Sequence, residues 1–147
     1  MAKFKFSLKS VEKYRNIALD EVKAKYAKAV SDINKQNDII LKLKQELSSV
    51  NQELNDKNRQ GITILEHQGY KVYIKILENN IKNEEEKLLG LQKIEQRRRK
   101  ELIAAKTDVM SIEKIREKRF EEYVKEETKK EELGIEEFVS NQLSSRK

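Results

Sequence analysis

From Leu8 to Leu54 apolar residues recur in one heptad register without a slip. Glu12, Leu19, Tyr26, Ile33, Ile40, Leu47 and Leu54 take the a positions, and Leu8, Arg15, Val22, Ala29, Gln36, Leu43 and Val50 the d positions. Eleven of these fourteen are apolar against 37% of the chain, which predicts a long amphipathic helix seeking a partner helix. A second register runs from Ile74 to Ile112, with Ile74, Ile81, Leu88, Glu95, Leu102 and Val109 at a. Its d positions are Leu77, Glu84, Leu91, Arg98, Ala105 and Ile112, and the seam weakens through Arg116, Arg119, Tyr123 and Glu126 towards Leu133-Gly134.

Between the registers lie Asn55-Asp56-Lys57-Asn58-Arg59-Gln60, Gly61 and Gly69, which are turn residues. Two seams of this kind close on each other in water, so the expected fold is all-α, a long two-helix antiparallel coiled-coil hairpin in a single domain. The expected helices span about 7–57 and about 70–133, with a connecting loop at about 58–69 and a C-terminal tail at 134–147. Residues 62–76 also alternate like strands, through Ile62, Ile64, Val72, Ile74 and Ile76, so a small β-hairpin competes there with a helix from Tyr70. With the bend near residue 65, Gln36 is expected level with Ile94 and Glu95, and Asp32 near Arg98, which would align the polar seam positions as one register-fixing layer.

Composition agrees with long helices: 39% of residues are charged, and there is no Pro, Cys or Trp. Without cysteine there is neither a disulfide framework nor a thiolate metal site. No apolar run reaches membrane-span length, and the opening residues lack the apolar stretch of a secretory signal, so a soluble cytoplasmic chain is expected. The net charge of +6 is uneven: residues 1–28 carry +5, residues 92–119 carry +5, and residues 120–139 carry −5. Such basic stretches suit an acidic partner surface, or a plain solvated face.

Catalytic chemistry is missing. The glycines are isolated, the one histidine, His67, sits in the expected loop, and the glutamates of Glu84-Glu85-Glu86 diverge around a helix and cannot converge on one metal. No enzyme activity, cofactor or metal is expected. The run Arg97-Arg98-Arg99-Lys100 spreads around the helix with no aromatic nearby, so nucleic acid is not an expected partner.

The opening Phe4-Lys5-Phe6-Ser7-Leu8-Lys9-Ser10-Val11 resembles the start of the flagellar export protein FliJ family. The middle, Gly61-Ile62 with Tyr70-Lys71-Val72-Tyr73-Ile74-Lys75-Ile76-Leu77-Glu78 and Ile81, is similar to that family's segment after the loop. The end, Lys118-Arg119-Phe120-Glu121-Glu122-Tyr123 and then Ile135-Glu136-Glu137-Phe138-Val139, is similar to its closing element. The resemblance implies a coiled coil akin to the γ subunit of rotary ATP synthases. Such a protein inserts into and stimulates the hexameric flagellar export ATPase (FliI), contacts the export gate protein (FlhA), and handles export chaperones lacking cargo. It works in the cytoplasm, peripheral to the inner face of the cell membrane at the flagellar base.

On this resemblance the ATPase-ring contact comprises Lys13, Arg15, Arg97, Arg98, Arg99, Lys100, Arg116, Arg119, Phe120 and Tyr123. The gate contact comprises Leu43, Val50, Tyr73 and Leu77, of which Leu43, Val50 and Leu77 are also seam positions and suit hairpin core better than surface, leaving Tyr73 as the best surface candidate. Ile39, Glu46 and Val50 depart from the family pattern at that patch, while Tyr14, Phe120, Tyr123 and Phe138 suit packing or partner contact. The related type III secretion stalk shares all these features. A prefoldin-like chaperone subunit, recognisable by strands at 62–76, and a generic oligomerising scaffold are the alternatives.

Overall fold

The structure, a computed structural model, describes residues 3–145. Helix α1 (Lys9–Gln60) and helix α2 (Ile64–Ser145) pack against each other as an all-α helical hairpin, with no strand among the described residues. Every a and d position of the two expected registers is buried or half-buried. The buried apolar residues, among them Leu19, Ile40, Leu54, Ile74, Leu77 and Ile112, are all seam positions. Burying each large aliphatic side chain contributes roughly 1.5–3 kcal/mol, enough together to order two helices whose outer faces are charged. No described helix is long and apolar enough to cross a membrane.

The expected loop at 58–69 shrinks to Gly61-Ile62-Thr63. Gly61 takes φ +92°, and its N–H donates to the Lys57 carbonyl at 2.9 Å, a left-handed C-cap that closes α1. Thr63 then caps α2: its hydroxyl accepts from the Glu66 N–H at 3.2 Å, and its carbonyl from the His67 N–H at 3.0 Å. Stop and start signals are complete within three residues, so α2 begins at Ile64 and not near Tyr70. Its seam continues backwards through half-buried Tyr70 and His67, and this packing overrides the β-branched alternation of residues 62–76.

The other end also differs from expectation. The segment 134–147 is helical as far as Ser145, its last two residues lying outside the described part. Gly134 inside a helix costs roughly 1 kcal/mol, which the strong helix formers Glu, Lys and Leu around it offset. Contacts divide between two compact units, Met1–Glu21 with Ile103–Lys147 and Val22–Leu102. In a two-helix hairpin a side chain touches only neighbours within a turn or two, so no shared core unites distant segments.

In the unit Val22–Leu102 the polar seam positions find partners other than those expected. The buried Gln36 amide donates to the Glu84 carbonyl oxygen at 2.9 Å and to Glu84 Oε2. Glu95, expected level with Gln36, instead accepts from the Tyr26 hydroxyl at 3.2 Å. The shorter turn accounts for the change: α2 starts at Ile64, so each of its residues lies further from the bend than expected and a lower-numbered one comes level with Gln36.

Candidate functional site

In the unit built from Met1–Glu21 and Ile103–Lys147 the chain ahead of α1 folds onto α2. The Phe4 ring stands edge-on to Phe120 and tilted to Tyr123, each with centroids 5.3 Å apart. Phe120 and Tyr123 lie one helical turn apart and stack at 6.4 Å. Arg119 covers the Phe6 ring at 5.7 Å while its guanidinium donates to the Ser7 hydroxyl at 2.6 Å. Aromatic pairs of this geometry contribute about 0.5–1.5 kcal/mol each beyond area burial, so the short segment is held firmly.

This unit gathers six of the expected ring-contact residues. Lys13 is exposed. Arg15, half-buried, donates to the Asp108 carbonyl oxygen at 2.9 Å. Arg116 pairs with Glu12 at 3.0 Å, and both are seam positions, so α1 and α2 meet here through charge as well as apolar contact. Glu12 Oε2 is buried without a hydrogen-bond partner, which makes Arg116 the group that balances that carboxylate. Arg119 is exposed, Phe120 is 48% exposed although it stacks on Phe4, and Tyr123 is half-buried. Phe4, Phe6, Ser7 and Glu12 belong to this surface and were not anticipated in it. The alternating Phe4-Lys5-Phe6 ahead of the first seam residue was the available signal.

Arg97, Arg98, Arg99 and Lys100 belong to the other unit, described by itself. Arg98 is half-buried at its d position and pairs with Glu101 at 3.1 Å, and Arg99 pairs with Glu95 at 2.9 Å. Arg97 and Lys100 are exposed and make no ion pair among the described residues. Of the four consecutive cations only these two present unneutralised charge to a partner.

The expected gate contact is mostly interior. Leu77 is 3% exposed, and Leu43 and Val50 are half-buried in the seam. The burial of Leu77 agrees with the core reading of its d position. Tyr73 is 40% exposed, and its hydroxyl donates to Glu46 Oε1, a bond that holds the phenol above its ordinary pKa. On the same helix Leu65, Val72 and Ile76 are exposed apolar residues that sequence reasoning did not assign to a contact. Their signal was apolar side chains at positions off the seam.

Among the described residues no group of three or more His, Cys, Asp or Glu is placed to hold a metal. The Glu84 carboxyl is held below the ordinary range by the hydrogen bond from Gln36 and then by Lys87. A depressed carboxyl contributes stability above its unfolded pKa of about 4.3 and loses it as pH falls through the folded value. Gln36→Leu is therefore expected to flatten the loss of thermal stability below about pH 5, followed by circular dichroism. Equal slopes in both proteins would remove this bond from the acid response.

The family model described as Flagellar FliJ protein matches residues 4–147. Among solved structures, a candidate YscO homologue from Chlamydia trachomatis shares the fold at a TM-score of 0.56 and 20% identity, covering 99% of each chain. No curated protein matches the chain. With a match over almost all of its length and a two-helix hairpin for its fold, the chain belongs to the flagellar FliJ family.

Proposed function

We propose that this protein is a non-enzymatic, central-stalk-like coiled coil of the flagellar type III protein export apparatus. It binds and stimulates the hexameric export ATPase (FliI), contacts the export gate protein (FlhA), and handles export chaperones on the cytoplasmic side of the cell membrane. The family match over residues 4–147 is the observation that carries this reading. The unit Met1–Glu21 with Ile103–Lys147 adds support, since it presents exposed Lys13, Arg119 and Phe120 on a folded surface. The prefoldin-like alternative rested on strands at 62–76, where α2 has helix from Ile64 onward.

The proposed mechanism is one of broken symmetry. A hairpin whose faces differ cannot make the same contacts with each of six equivalent subunits. It therefore favours different nucleotide states at different sites, by as much as its affinities for those states differ. The test is the ATP hydrolysis rate of the same organism's flagellar export ATPase, at fixed salt, with and without this protein. The expected result is a clear rise that saturates below one chain per ATPase subunit. No rise, together with no co-migration of the two proteins, overturns the stalk reading.

A further inference from the structure

Helix α2 outruns its partner. Phe4 packs no further along it than Phe120 and Tyr123, and from Val124 to Ser145 every residue except Glu127 is exposed. This overhang is amphipathic. Ile135, Phe138, Val139 and Leu143 follow helical spacing along one side and are 64%, 63%, 48% and 62% exposed. Glu131, Glu132, Glu136 and Glu137 lie around them, and residues 120–139 hold three lysines against eight glutamates, a net of −5. An apolar stripe on a charged helix is the form in which helices enter partner surfaces.

The same unit carries the complementary surface. On the outward side of α1, Tyr14 is 73% and Ile17 50% exposed, with Val11 at 38% beside them. Lys9 and Lys13 are exposed along that side and make no ion pair among the described residues. Residues 3–21 and 103–119 together hold ten Lys and Arg against six Asp and Glu, a net of +4. An acidic apolar helix and a basic apolar face thus occur on one unit, and the overhang leads away from that face as a continuous helix.

We propose that two copies of this chain associate head to head, each laying its 124–145 helix along the Tyr14–Ile17 face of the other. The arrangement is reciprocal and closes on itself with two-fold symmetry, so both contacts form at once and no open chain of copies follows. Opposite charges make the association salt-sensitive. The dimer covers Lys13, one of the residues proposed to meet the export ATPase. That consequence rests on the stalk reading, whereas the dimer does not.

Sedimentation velocity of the full chain alone, without any ATPase, tests the proposal at low and high salt. The expected species is a dimer at low salt that dissociates as salt rises. Phe138→Asp and Tyr14→Asp, each made separately, should weaken it by about tenfold or more, with helix content retained by circular dichroism. Mixing these two variants should restore association in part, because one of the two contacts then joins an intact overhang to an intact α1 face while the other stays broken. A wild-type chain that stays monomeric at low salt, variants that dimerise as well as wild type, or a mixture no better than its components each overturn the proposal. A wild-type chain that dimerises as expected but does not raise the ATP hydrolysis rate of the export ATPase would count against the stalk reading alone.

Discussion

Replacing Leu77 with alanine is expected to lower the unfolding free energy by about 2–5 kcal/mol, the range for emptying a buried leucine site. Leu77 is 3% exposed, with Ile74 and Ile81 buried one turn away on either side. A two-helix hairpin has no second layer that could collapse into the space. Tyr73→Ala, four residues earlier, should cost no more than about 1 kcal/mol, since Tyr73 is 40% exposed and its hydroxyl bonds only Glu46. Urea unfolding followed by circular dichroism measures both. Binding to the export gate protein should show the opposite order at a temperature where each variant is folded. Weaker gate binding in Tyr73→Ala and little change in Leu77→Ala would fit a surface role for Tyr73. Equal stability of Leu77→Ala and wild type would mean that Leu77 does not belong to the core.

Reversing the charges at Arg97, Arg98, Arg99 and Lys100 should remove most of the stimulation of the export ATPase while leaving helix content intact. Arg97 and Lys100 have no ion pair among the described residues, and the pairs of Arg98 and Arg99 are local to α2, so little folding energy depends on them. Steering by exposed charge acts mainly on association rate, so the deficit should be largest at low salt. Unchanged stimulation would take this run out of the mechanism. Arg116→Glu makes an instructive contrast. It places a second carboxylate beside Glu12, whose Oε2 is already buried without a partner, and should loosen the unit Met1–Glu21 with Ile103–Lys147 before any partner is met.

Much of this molecule is local physics and was legible in the chain. The seam from Leu8 to Leu54 and from Ile74 to Ile112 coincides with the buried and half-buried positions, because helical periodicity alone decides which side of a helix is apolar. The cationic run was legible as residues. Its ion pairs to Glu95 and Glu101 follow from spacings of four and three on one helix. The turn was legible in part. Gly61 was recognised, but Thr63 and Glu66 form a helix start that the alternating β-branched residues of 62–76 obscured.

The pairing across the seam was decided only by the tertiary structure. Glu84 and Glu95 are both seam positions, so periodicity alone cannot tell which of them Gln36 meets. The length of the turn chooses, and the three-residue connection chose Glu84. The same holds for Leu77, whose sequence position suited a contact or a core and whose burial made it core. Phe4 on Phe120, and Glu12 on Arg116, join residues more than a hundred positions apart. No local preference encodes such pairs. They exist because the hairpin brings two distant stretches of one chain into reach of each other.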